Sequence, residues 1–191
     1  MERAGSRRTG YNPAFSHQTA RMDDRTLWLI RHAKSDWSEP GSRDFDRPLN
    51  ARGLRDGPRM ARWLATQANP ASWIWTSDAL RARATAEFVL EGFRAASPTL
   101  VADHRLYLAD PGQLLDVLRG TPTDVRSVAV VAHNPGLTEL VNLLGARPRL
   151  DNLPTLGIAA FRVAGPWPDL RPGACALLDL MSPKRLPSQP G

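Results

Sequence analysis

Apolar residues gather along this chain in short unbroken runs separated by longer, interrupted stretches. Thr26-Leu27-Trp28-Leu29-Ile30 and Ser127-Val128-Ala129-Val130-Val131-Ala132 are the clearest runs. Each is too short for a helix and apolar nearly throughout, which predicts a strand covered on both faces. Ser72 to Thr76 and Leu100 to Ala102 predict two more strands. Residues 157–163 and 174–180 predict a closing pair, separated by a Pro- and Gly-containing loop. Between the runs the spacing turns helical. Asn50 caps a segment to about Ala68, with Leu54, Met60, Ala61 and Leu64 supplying an apolar stripe. Gly57-Pro58 should bend or split it, and Asn69-Pro70 ends it. Further helices are predicted over 78–93, with Ala84, Phe88 and Val89 inward, and over 110–118, opened by Asp110-Pro111 and stopped by Gly120. A last one covers 137–144. Residues 34–49 read as a long polar loop. Strands alternating with helices predict a three-layer α/β/α sandwich with a mostly parallel central sheet.

The 191 residues are 42% hydrophobic and 23% charged, enough for one core. No run approaches the ~18 apolar residues of a membrane helix, so no membrane partner is expected. A single cysteine, Cys175, excludes an intramolecular disulfide framework and fits a reducing, cytoplasmic setting. Its apolar surroundings make it a small core residue. Of the net charge of +6, half sits in residues 1–22, which lack a hydrophobic period and read as a disordered basic leader. Met22 offers an alternative start. The folded domain is expected over 23–182, with a loose Pro-rich tail over 183–191. The arginines of the body are interleaved with acids, as in Arg43-Asp44-Phe45-Asp46-Arg47. That pattern favours a solvated mixed-charge surface over a nucleic-acid partner.

Candidate chemistry gathers at strand ends. The first strand ends in Arg31-His32-Ala33 and the strongest one in His133-Asn134-Pro135-Gly136. The second is followed by a helix start that places Arg81 in its first turn. On a parallel sheet the C-terminal strand ends are where ligands bind. Two histidines and two arginines converging there suit an anion that one imidazole attacks, and the helix after His133 should aim backbone N–H groups at it.

Four segments in order resemble the histidine phosphatase superfamily, related to phosphoglycerate mutase, and more narrowly the SixA-type phosphohistidine phosphatases. They are Arg31-His32-Ala33-Lys34-Ser35; Asp46-Arg47-Pro48-Leu49-Asn50-Ala51-Arg52-Gly53; Ser77 to Thr85; and His133 within Val131-Ala132-His133-Asn134-Pro135. The resemblance spans Thr26 to Leu180 and implies a phosphoglycerate mutase-like fold. Asp78 stands where the family usually has Pro, and Ala84 where it has Gln.

The resemblance implies that His32 is the nucleophile, and that Arg31, Arg81 and His133 bind the phosphoryl oxygens. Lys34, Ser35 and Asn134 adjoin these motifs as substrate-binding candidates. Neither a metal nor another cofactor is expected. Nearby arginines should keep His32 neutral. Many relatives carry a Glu shortly after the third strand; here Leu106-Tyr107-Leu108-Ala109 has no carboxylate, as in the SixA type. An alkoxide leaving group needs a proton donor, whereas an imidazole, with a conjugate-acid pKa of ~6.5, leaves unaided. The expected function is therefore removal of phosphate from phosphohistidine on a protein, such as a phosphotransfer domain. The alternatives are a phosphomonoesterase acting on a small phosphorylated metabolite and a non-catalytic phospho-binding module. Asp36, Asp103 and Asp110 are expected to be loop or capping acids, His104 a polar loop residue, and Trp73 and Trp75 packing residues.

Overall fold

A computed structural model of the chain describes residues 24–38, 41, 43–145 and 149–187. The basic leader expected over 1–22 lies outside the described residues. Six strands form one sheet: β1 (Asp24–Arg31), β2 (Trp73–Thr76), β3 (Thr99–Ala102), β4 (Ser127–Ala132), β5 (Ile158–Ala164) and β6 (Cys175–Met181). Their spatial order is β3-β2-β4-β1-β5-β6. The β3-β2-β4-β1 part is parallel, and β5 runs antiparallel to both β1 and β6.

Four helices cover the two faces: α1 (Ala51–Leu64), α2 (Leu80–Gly92), α3 (Pro111–Arg119) and α4 (Gly136–Leu144). The pleat of β1 assigns the layers. Leu27 and Leu29 pack with Leu114, Leu118, Leu137 and Leu140 of α3 and α4. Trp28 and Ile30, on the other face, pack with Met60, Leu64, Ala86 and Val89 of α1 and α2. Every residue of β4 is buried, as its unbroken apolar run predicts. The sandwich of three layers is therefore as the alternation implies.

Helix α1 departs from expectation: it is continuous through Gly57-Pro58 and stops at Leu64. Pro58 and Leu54, the residue whose carbonyl it leaves without a helical donor, are both exposed, so that lost bond falls on the watered side. Leu54 is thus off the buried stripe. Gly57 faces α2, where an added Cβ would collide with the Phe88 ring. It permits a close approach of the two helices, and the dipeptide serves packing, not a break. Asn50 caps α1 through its side chain, which accepts from the Gly53 N–H at 3.0 Å. At the C-terminal end of the described chain, Pro183–Arg185 form a short 3-10 turn, and Leu186 packs on the α1/α2 face.

The connections from β1 and β4, neighbours in the sheet, lead to opposite faces: β1 to α1 and β4 to α4. A crevice opens where adjacent parallel strands diverge in this way. Here it lies past Arg31 and Ala132.

Candidate active site

Arg31 and Ala132 are Cα partners in the β1–β4 ladder, so His32 and His133 leave the sheet side by side. Their rings lie 4.9 Å apart. Thr76 is partnered with Val131. That register brings Ser77 to 2.9 Å from His133 Nε2, and α2 then starts with Arg81 in its first turn. Ladder register alone therefore assembles three of the four predicted chemical groups, and the start of α2 adds the fourth.

Each is oriented by specific partners. The Nδ1–H of His32 donates to the carbonyl of Ala33 at 2.7 Å, which leaves Nε2 as the unprotonated nitrogen. The Nε of Arg81 donates to that Nε2 at 3.4 Å. His133 uses Nε2 toward the Ser77 hydroxyl, and its Nδ1 lies 3.3 Å from Arg81 Nη2. Arg31 is held through Nη1, which donates to the Leu153 carbonyl at 2.7 Å and to Asn152 Oδ1 at 3.2 Å. Asn134 donates to the same two groups. Thr85 ties the assembly together, since its hydroxyl oxygen accepts the Ala33 N–H at 2.9 Å while donating to the Arg81 carbonyl. Ser77 and Thr85 are both fully buried. Within the motif that carries them, their work is orientation.

Electrostatics keep both imidazoles neutral. Burial is the largest cause that lowers His32 to about 4, and the cations of Arg81, Arg31 and Arg47 add to it. Burial likewise lowers His133 to about 3, helped by His32 and Arg81. The arginine effect expected from sequence is therefore present but second to desolvation.

A cavity of about 270 Å³ opens over these groups. It is lined by all seven predicted site residues: Arg31, His32, Lys34, Ser35, Arg81, His133 and Asn134. Some of the lining residues also carry buried donors and acceptors without partners. Arg31 Nε, Arg47 Nε and Nη1, and Asn134 Oδ1 have none. The backbone of α4 is less available than expected. The Leu137 N–H donates to the His133 carbonyl, and Gly136 is packed against Ala109.

The charged run Arg43 to Arg47, read from sequence as solvated surface, splits in two. Arg43 and Asp46 pair outside at 3.8 Å, while Asp44 and Arg47 line the cavity. Arg47 is buried, donates to Asp44 Oδ1, and stacks with its Cζ 3.4 Å from the Trp37 ring. Asp44 Oδ2 accepts from Arg81 Nη2 at 2.8 Å and from the Tyr107 hydroxyl at 2.7 Å. These bonds and the two arginines outweigh desolvation and hold its carboxyl at about 2. The available signal was position: Arg47 is the variable residue of the Asp-x-Pro-Leu segment, and Asp44 lies three residues before it. Nothing in spacing marks Asp44.

The acids, His104, Trp75 and Cys175 lie where loop, capping and packing residues are expected. Asp103 caps the short turn His104–Leu106, Asp110 caps α3, and Asp36 accepts the Ser38 N–H at 2.9 Å. His104 is exposed and pairs with Asp78 at 2.9 Å. The Trp75 indole is buried and donates to Thr121 at 3.0 Å. Cys175 is buried, its thiol pushed up to about 12 by desolvation, which makes it inert. Among the described residues no group of three His, Cys, Asp or Glu is placed to hold a metal ion, and no helix is long and apolar enough to cross a membrane.

A family model described as histidine phosphatase superfamily (branch 1) matches residues 27–107. An uncharacterized protein of Mycobacterium tuberculosis is 34% identical over 164 residues, covering 81% of this chain and 100% of that protein. Among solved structures, a SixA protein from Nakamurella multipartitia is similar at 25% identity and a TM-score of 0.72, over 84% of this chain and 96% of that one. The protein histidine phosphatase SixA complexed with tungstate is similar at 26% identity and a TM-score of 0.69, over 83% and 97%.

Proposed function

Because the chain belongs to the histidine phosphatase superfamily, SixA type, we propose that it hydrolyses phosphohistidine on a protein through a phospho-His32 intermediate. The His32 Nε2 lone pair attacks phosphorus. The phosphorus–nitrogen bond of the substrate breaks, and its imidazole leaves with the bonding pair and a proton it already carries. Charge on the equatorial oxygens is met by the guanidiniums of Arg31, Arg47 and Arg81, which line the cavity. His133, neutral on its own, gains a proton more readily beside the bound dianion and then donates to an oxygen. Water next attacks phosphorus on the open side, the bond to His32 Nε2 breaks, and phosphate departs. The arginines supply the positive charge, so this scheme calls on no metal.

One observation carries the choice of substrate. Asp44 is the only carboxyl group lining the cavity among the described residues, and at about 2 it is ionised across the neutral range. The Tyr107 proton is committed to it. No carboxyl group is thus poised to protonate an alkoxide, the role that the relatives' Glu would fill for a phosphate ester and that a phosphohistidine does not need. A cytoplasmic setting, with Cys175 a free buried thiol, suits the same reading.

Purified protein offered a phosphohistidine peptide, p-nitrophenyl phosphate and a panel of phosphorylated metabolites tests this. Phosphohistidine is expected to turn over fastest. Faster turnover of a metabolite ester would assign the protein to the small-molecule phosphomonoesterases. Binding without turnover of any of them would make it a phospho-binding module.

A further inference from the structure

Arg81 is the best-anchored cation of the pocket, yet all its nitrogens are engaged within the chain. Its Nε meets His32 Nε2 at 3.4 Å. Its Nη1 donates to the backbone carbonyl of Asp44. Its Nη2 donates to the Asp44 carboxylate at 2.8 Å and lies 3.3 Å from His133 Nδ1. Arg47 differs: Asp44 takes Nη2 alone, and Nε and Nη1 are buried without partners. Arg31 and Arg47 thus keep nitrogens with no internal partner to displace, whereas a phosphoryl group must compete for Arg81. The competitor is a side chain 40% exposed on the cavity wall, in a short 3-10 turn and not in the sheet.

We propose that Asp44 is the resident counter-anion of the phosphate site: its carboxylate competes with a phosphoryl oxygen for Arg81 Nη2, and so limits how tightly free phosphate is retained. The inference rests on the phosphatase reading of the cavity. The three arginines facing the cavity and Asp44 together leave a charge of plus two, with Lys34 at the exposed rim aside. A phosphoryl dianion balances that charge. A cavity with the arginines alone would hold product more strongly than turnover requires, because binding that is equal in ground and transition states slows release without speeding chemistry. On ligand binding the carboxylate keeps Arg47 and the Tyr107 hydroxyl as partners, so it gives up one bond and remains satisfied. It then stands close to the bound dianion, and like-charge repulsion favours departure.

Calorimetric titration with inorganic phosphate reads this directly, on wild type, Asp44→Asn and Asp44→Glu. Asp44→Asn keeps an oxygen that accepts from Tyr107 but removes the charge. It is expected to bind phosphate about tenfold more tightly, with kcat and KM for a phosphohistidine peptide falling together. Asp44→Glu restores the charge and should bind phosphate much as wild type does. Melting temperatures of the variants show that each is folded. Unchanged or weaker phosphate binding by Asp44→Asn, with wild type binding intact, overturns the inference and leaves Asp44 a brace for Arg81. So does selective loss of ester turnover with phosphohistidine turnover intact, which would make Asp44 a proton donor. A wild type that neither binds phosphate nor turns over any phosphorylated compound fails at the earlier step, the phosphatase reading itself.

Discussion

The cavity has two walls of different construction. One is made by the ends of β1, β2 and β4 and the start of α2, which carry Arg31, His32, Ser77, Arg81 and His133. The other is made by the segment after His32, which carries Trp37, Asp44 and Arg47. In the first wall, positions follow from backbone pairing. His32 and His133 must emerge together because Arg31 is paired with Ala132. In the second, positions follow from side chains holding one another: Asp44 bridges Arg81, Arg47 and Tyr107, and Arg47 stacks on Trp37. Register is cooperative with the whole sheet and tolerates no small adjustment. A chain of ion pairs on a loop can be retuned one residue at a time. The nucleophile belongs to the first kind of wall and the charge balance to the second.

The sharpest way to break this division is to attack the sheet-built wall. His32→Ala is expected to lower turnover of a phosphohistidine peptide by about a thousandfold or more, since it removes the group that carries the phosphoryl between half-reactions. The acid-labile, base-stable phosphoryl label trapped in wild type should vanish with it. A label persisting in the variant would move the nucleophile elsewhere. In wild type, kcat/KM should fall on the acid side as His32 becomes protonated, near its value of about 4, and on the alkaline side as the substrate imidazole, with its ordinary pKa of ~6.5, loses the proton it leaves with.

Arg81→Lys comes next. Lysine keeps the charge but not the planar fork whose three nitrogens reach His32, the Asp44 carbonyl and the Asp44 carboxylate. A loss of about a hundredfold in kcat/KM is expected. A loss of only a few-fold would show that bulk charge, and not the placed donors, does the work.

The same division explains what could be read in advance. β4 matched its apolar run residue for residue, and the four groups at the strand ends followed from strand order plus a parallel sheet. Helix α1 runs on through Gly57-Pro58 against the local rule, because Gly57 lies against Phe88 and Pro58 faces water, neither of which local sequence encodes. Asp44 and Arg47 were invisible for a related reason. An acid and a base three apart on a polar loop pair with each other on most surfaces. What distinguishes these two is Arg81, 37 residues away, which reaches out from α2 to take Asp44. Side-chain networks across such separations leave no period to detect.

The walls should also differ in their response to acid. His32 and His133 are lowered to about 4 and about 3, well under the ordinary 6.5. Between those values and 6.5 the unfolded chain binds more protons than the folded one, so folding stability is full above pH 6.5 and declines as pH falls through that window. The two histidines together are expected to account for a few kcal/mol of that decline. Melting temperatures followed from pH 7 to 4 should fall less steeply for His32→Ala than for wild type. Equal slopes would mean that the imidazoles are solvated more freely than their burial implies.

The smallest effect is expected at the outer edge of the loop-built wall. Trp37 is 71% exposed, and its main contact is the Arg47 guanidinium 3.4 Å from its ring. An exposed stack of this kind is worth about 0.5–1 kcal/mol, so Trp37→Ala should raise KM by about two- to fivefold and leave kcat alone. Size of substrate then sharpens the test. If Trp37 acts only by steadying Arg47, phosphoramidate and a phosphohistidine protein should lose affinity equally, because both present the same phosphoryl group to Arg47. If the protein substrate alone is weakened, Trp37 touches the polypeptide that carries the phosphohistidine. The loop-built wall would then select the partner as well as balance the charge.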